Sequence, residues 1–566
     1  MSRELYEMNR IIFFKYLELI EDKNKLFDNC SNEEHLPFLA EYYQSIADFE
    51  KAKQFCTILQ DKSESEFGKN HPNTATIYYN IGEVYYLQGI YESALKYYKK
   101  ALEINENVLG KEHSDTIATY NNIGLVYDAQ GIYDKALEYY KKDLDISEKV
   151  FGKEHPDTGT TYNNVADVYR ALGDYGSALK YNQKALEISE KILGKEHLDT
   201  ATTNNNMGEV YRILGNYDRA LICNQKALDI YEKIWGENHP ETASAYDNRA
   251  GIYYELGRYD DALKYYKKSL VISGNFFGIN HSDTATTYNN MSEVYRALGN
   301  YQLALECLRK ALEIYEKISG REHHPDIATT HNNMGIVYYA QGNYDYAFEH
   351  LWKALEIREN VLGKKHPDTA TTYNNVGLVY EAQGNYEKAL EYYKKDLDIS
   401  EKVFGKEHPD TATTYHNMGL VYDAQEDYDN ALKFYNKALT IKEKLLGNEH
   451  PSTATTYNNI GVVYCKQKKY DLALGYLSKA LTINEKLLGS EHPETAATYR
   501  NMAAVYNFQS NYKTALKLYK QALIFFEKTQ RGSLCELYED IAKIYEKTGD
   551  NAEALLWYKK SLSIKK

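Results

Sequence analysis

No run of apolar residues in this 566-residue chain approaches the roughly 18 that a membrane-crossing helix needs. The N-terminus carries Arg3, Glu4 and Glu7, with no short apolar stretch ending in small residues, so a secretory leader is not expected. The six cysteines, Cys30, Cys56, Cys223, Cys307, Cys465 and Cys535, lie far apart and fit neither zinc-ligand spacing nor a disulfide framework. A reducing cytoplasm suits such a chain. There is no Gly-rich phosphate loop, no nucleophile elbow and no clustered acid pair, so neither catalysis nor a cofactor is expected. Basic excess is missing too: 67 Lys and Arg stand against 81 Asp and Glu, a net charge of -14, which opposes nucleic acid and anionic membranes as partners. Finally, no linker rich in Pro, Gly or Ser divides the chain.

What fills it is repetition. A loop of the type His-Pro-Asp-Thr returns at His71, His113, His155, His197, His239, His281, His324, His366, His408, His450 and His492. The step is 42 residues throughout, except for 43 between His281 and His324, where Arg321-Glu322-His323-His324 holds one extra residue. Such a period marks a solenoid, whose units are too small to bury their own apolar faces and must stack. The extra residue is a place where the coil is expected to bend or change pitch.

In the unit from 113 to 154, Tyr120, Ile123, Gly124 and Tyr127 fall at i, i+3, i+4 and i+7, one face of a helix expected over 116–130. Gly131 stops it, and a second helix is expected from 133 to about 151, before Gly152. The second helix shows its stripe best in a later copy, as Ala473, Leu477, Ala480, Leu481 and Leu488. The Asp-Thr after His-Pro is expected to cap the first helix. A Tyr in the first helix (Tyr85, Tyr127, onward to Tyr506) and an Ala in the second (Ala94, Ala136, onward to Ala515) recur in all eleven units, which assigns much of the Tyr content to the core.

Unit length alone would admit HEAT or armadillo repeats, but the pattern Tyr120-x2-Ile123-Gly124-x2-Tyr127 with Ala136-x3-Tyr140 resembles the tetratricopeptide repeat, with Tyr for the usual Trp and Phe. The usual closing Pro is absent, and Glu148 stands in its place. The longer unit, with Asn-Asn-hydrophobic-Gly and Leu-Gly-Lys-Glu-His-Pro-Asp-Thr, resembles the repeats of kinesin light chains over residues 71 to about 530. An all-α, superhelical solenoid of helix hairpins is thus expected. Its parts are an N-terminal helix and cap (1–35, helical over 2–29, alternatively a docking helix), a divergent hairpin (36–70), eleven repeats (71–532) and a divergent capping repeat (533–566).

One position varies in no unit: Asn80, Asn122, Asn164, Asn206, Asn248, Asn290, Asn333, Asn375, Asn417, Asn459 and Asn501. Asn122 lies roughly 150° around the helix from the core stripe, and mid-helix Asn is unfavourable relative to Ala, so its persistence needs a reason. Recent copying is one, since residues 136–158 and 389–411 are nearly identical; a structural bond between units is another. The third is ligand binding, because an amide both donates and accepts and can pair with an extended main chain. The resemblance implies this last role, with the first helices lining a concave groove.

Arg170, Arg212 and Arg296 share a register, with Arg249 near it, and could hold an acidic peptide, as the resemblance to kinesin light chains implies. Asp167, Glu209 and Glu293, three residues earlier, offer intrahelical ion pairs instead. The recurring histidines are read as loop stops packed between units, too far apart to share a metal ion. A non-catalytic scaffold or adaptor for extended peptides or partner domains is the leading expectation; a regulatory array acting with a separate signalling or transferase enzyme is the alternative. The resemblance also raises a kinesin heavy chain as partner, but fewer than 35 residues precede the first worn repeat, without sustained heptads, which counts against motor attachment.

Overall fold

The computed structural model describes residues 49–276, 281–319, 324–529 and 533–564, and among these every regular element is helical. The expected N-terminal helix over 2–29 and the extra residue before His324 lie outside the described residues. Each unit is a hairpin. In the worked example Ser114–Ala129 pairs with Tyr133–Val150, and the pattern runs from Pro72–Leu87 with Tyr91–Val108 to Pro493–Phe508 with Tyr512–Thr529. Before them stands Phe49–Glu66, and after them the hairpin of Ser533–Lys547 and Asn551–Ile564.

Each second helix packs on the first helix of the next unit. First helices also touch their counterparts in the neighbouring unit, as Pro156–Ala171 does Leu198–Ile213, whereas among the described residues second helices make no comparable contact with one another. The array therefore curves with its first helices inside.

The helix starts differ from expectation. In all eleven units the N-cap is the histidine itself: its Nδ1 accepts from the backbone N–H two residues on, at 3.2 Å from Asp157 in the His155 unit. Proline then occupies the first helical turn in most units, where a missing N–H costs nothing. The Thr that follows ties the loop down instead, Thr116 Oγ1 donating to the Gly110 carbonyl at 2.8 Å.

Inside the hairpin, Gly124 lies against the second-helix ring of Tyr140, where a Cβ would be 2.6 Å from the ring. Tyr140 is fully buried. Tyr127 and Ala136 are buried in one cluster, as the recurring pair implies, and the Tyr127 ring also lies tilted against Tyr139 at 5.5 Å. Between units, the Glu that replaces the closing proline acts as a clasp: Tyr162 donates to Glu148 at 2.8 Å, and Tyr246, Tyr373 and Tyr415 repeat the bond to Glu232, Glu359 and Glu401.

The histidine loops do more than stop helices. The loop of one unit seats on the hairpin turn six units earlier: His408 Nε2 lies 2.9 Å from the Ala171 carbonyl, His450 Nε2 2.8 Å from that of Ile213, and His366 Nε2 3.3 Å from that of Ala129. Pro367 lies so close to Gly131 that a Cβ there would be 2.7 Å from its ring. Tyr133 stacks on Phe404 across the same junction at 5.8 Å. One turn of the coil thus rests on the next. His155, in the first turn, has a side chain 38% exposed, whereas that of His408 is 6% exposed. Burial pushes His408 and His450 down to about 4, so each ring is neutral, accepting at Nδ1 and donating at Nε2.

Candidate ligand groove on the concave face

The invariant Asn sits on the inner face of the first helix, and in six units its amide is tied to the preceding unit. Asn122 Nδ2 donates to Tyr79 Oη at 2.7 Å, Asn164 to Asn121 at 3.1 Å, and Asn375, Asn417 and Asn501 to Asn332, Asn374 and Asn458 at 2.9 to 3.0 Å. Asn459 meets His416 Nε2 at 3.0 Å. Asn122 also reaches the Tyr98 hydroxyl at 3.4 Å, but in each of these six pairs the acceptor is the residue just before the Asn of the previous unit. Its variation between Tyr, Asn and His preserves an acceptor, which is why the change looks like drift in sequence. After the last rung the polarity reverses, and Arg500 pairs with Asp540 of the terminal hairpin at 3.6 Å.

The ladder has a gap. Among the described residues, the side chains of Asn206, Asn248, Asn290 and Asn333 have no hydrogen-bond partner, and the oxygens Asn163 Oδ1 and Asn205 Oδ1, which would accept the first two, are buried without one. In this stretch the preceding position turns to a threonine of the next unit. Asn163 donates to Thr203 at 2.9 Å, Thr287 donates to Asp247 at 2.7 Å, and Asn289 donates to Thr330 at 3.1 Å. Asn80 also lacks a partner among the described residues, which do not include those before Phe49.

The arginines lie in the same stretch and are matched. Arg170 pairs with Asp167 at 3.4 Å and Arg296 with Glu293 at 2.6 Å, while Arg212 holds Glu209 at 2.7 Å and Glu255 of the next unit at 2.9 Å. Arg249 bonds to Gln225 and lies over the Tyr265 ring, 5.3 Å from its centroid. Burial raises Glu255, and Arg212 opposes that rise; Glu209 is lowered, its burial outweighed by the Arg212 hydrogen bond and charge.

Among the described residues no group of three or more His, Cys, Asp or Glu is placed to hold a metal ion, and no helix is long and apolar enough to cross a membrane.

Stacked helix hairpins, packed with first helices against first helices and bearing a polar ladder there, define an α-solenoid. The tetratricopeptide-repeat family model matches residues 34–107, 87–149, 115–191, 157–233, 199–272, 241–317, 326–402, 377–444 and 452–528, and a second model of that repeat matches 536–566. The chain belongs to the tetratricopeptide-repeat family. No curated protein matches it. Among solved structures it is similar to BtubC (BKLC) from P. vanneervenii, at 23% identity over 41% of this chain and 91% of that one, TM-score 0.33. It is also similar to a putative kinesin light chain of Podosopora anserina, at 20% identity over 36% and 97%, TM-score 0.31. A Rap protein complexed with competence and sporulation factor matches at 16% identity over 65% and 98%, TM-score 0.45. At such identities the likeness concerns the fold.

Proposed function

We propose that the protein is a non-catalytic scaffold that binds an extended segment of a partner protein along the concave groove, with Asn206, Asn248, Asn290 and Asn333 as the rungs that meet the ligand. One observation carries this reading: among the described residues these four consecutive amides are unpartnered, while rungs on either side are bonded within the protein. Mid-helix Asn without an internal bond brings a propensity cost and no structural return. An amide offering a donor and an acceptor once per unit fits an extended main chain, whatever its side chains. Arg170, Arg212, Arg249 and Arg296 flank these rungs, and since each is engaged inside the protein, an acidic ligand would have to compete with resident partners.

The test uses two triple variants. Asn206→Ala/Asn248→Ala/Asn290→Ala is expected to keep its thermal unfolding profile and to weaken a peptide selected on the wild type by about tenfold or more, three net bonds at about 0.5–1.5 kcal/mol each. Asn375→Ala/Asn417→Ala/Asn459→Ala is expected to lower thermal stability. Unchanged peptide affinity in a folded first variant would sink the proposal.

A further inference from the structure

The chemistry of the occupant follows from a change in the groove along its length. It rests on the groove reading above. Three residues past each ladder Asn, on the same inner face, units seven to ten carry Ile336, Leu378, Leu420 and Val462, all half-buried. Units three, four and six carry Asp167, Glu209 and Glu293 at that register. Unit two carries Leu125 and unit five Gly251 there, so this register is charged in units three, four and six and aliphatic throughout units seven to ten.

The charged half carries more acid than base. Asp128, Asp167, Glu209, Glu255 and Glu293 stand against Arg170, Arg212, Arg249 and Arg296, and each of these guanidiniums is already engaged. Asp128 has no ion pair among the described residues. Burial, and then the neighbouring Asp167, push its carboxyl up to about 6, with Arg170 opposing. A cation brought to this place would relieve that repulsion, whereas an anion would add to it.

Spacing sets the period. Neighbouring first helices lie roughly 8–10 Å apart, and a chain extended as polyproline II advances about 3.1 Å per residue and returns every third side chain to the same face. One unit thus spans about three ligand residues. We propose that the occupant is an extended polypeptide segment with Lys or Arg along the end that lies against units two to six, and apolar side chains at every third residue along the end that lies against units seven to ten.

The experiment pans the full-length protein against a random peptide library and measures the best synthetic peptides by fluorescence anisotropy on four variants: Leu378→Asp/Leu420→Asp, the milder Leu420→Thr/Val462→Thr in case the first fails to fold, Asp128→Lys, and the Asn206/Asn248/Asn290 triple. Enriched peptides are expected to be basic toward one end with apolar residues at i, i+3 and i+6. They should weaken about tenfold on the folded apolar variant and severalfold on Asp128→Lys, the latter loss fading at high salt. Acidic peptides, peptides without the three-residue apolar period, or no enrichment at all would overturn the proposal. Peptides weakened by the Asn triple but indifferent to the apolar and Asp128 variants would overturn the occupant's chemistry and leave the groove reading standing. Indifference to every variant would overturn both.

Discussion

Asp396 is buried where most other units place Ala, among them Ala354, Ala438 and Ala480. Its carboxylate accepts from Asn374 and Thr414 at one oxygen and from Ser400 at the other, and by holding the Asn374 amide it turns Asn374 Oδ1 toward Asn417. Desolvation nevertheless dominates and lifts its pKa to about 6 from 3.8. The folded state then keeps its proton where the unfolded state has lost it, so stability falls as pH rises from about 4 to 6. A rise of that size corresponds to about 3 kcal/mol. Hydrogen exchange in Tyr386–Val403 is expected to show wild type losing protection relative to Asp396→Asn across that interval, and to hold a constant difference above it. Parallel profiles would show that the buried acid is already compensated. Asp143, the copy of this residue, is raised by burial as well and should behave in the same sense. Sequence disclosed the duplication of this segment, but not that the two acids are buried, because an Asp within a polar helix face looks solvated until its neighbour in the next unit is known.

At the scale of the helix, most boundaries were legible. Period, stop glycines and the core stripe place Ser114–Ala129 and Tyr133–Val150 within a residue or two of the reading from sequence. The cap was not legible, since Asp and Thr are far commoner N-caps than His, and the ring nitrogen reveals its role only through geometry. His155 tests this on an exposed loop. His155→Ala is expected to cost the array about 1 kcal/mol by loss of the cap, and His155→Asn to restore most of it, measured by thermal unfolding. Equal losses in the two variants would mean that the imidazole packs and does not cap. The ladder divides in the same way. Its invariance was visible in sequence and left three explanations open; among the described residues six rungs have a structural bond and four do not: the would-be acceptors of Asn206, Asn290 and Asn333, at Asn163, Asp247 and Asn289, bond to threonines of the next unit, while Asn205 Oδ1, opposite Asn248, is buried without a partner. That choice depends on how neighbouring helices face each other, which no single unit encodes.

For the whole molecule, the decisive contact joins residues far apart in sequence, so a nearest-neighbour reading of repeats could not find it. The recurring histidines look like local punctuation because each does cap its own helix; the second role exists only where a later turn arrives. The hairpin glycines record this. Gly131, Gly173 and Gly215 have φ of +65°, +72° and +67° and meet the loops of Pro367, His408 and His450, where a Cβ would fall at 2.7 to 3.0 Å. Gly299, Gly342 and Gly384 have φ of +77°, +75° and +75° and meet nothing among the described residues. Further on, Glu426, Lys468 and Ser510 occupy the same place at φ of +59° to +62°. Alanine at either glycine set brings similar left-handed strain, about 1 kcal/mol per residue, but only the first set collides with the next turn. Gly131→Ala/Gly173→Ala/Gly215→Ala is therefore expected to raise the radius of gyration in small-angle X-ray scattering. Gly299→Ala/Gly342→Ala/Gly384→Ala should lower thermal stability comparably and leave the radius unchanged. Should both triples scatter like wild type, the loops would touch without holding, and the pitch of the coil would be set by neighbouring units alone.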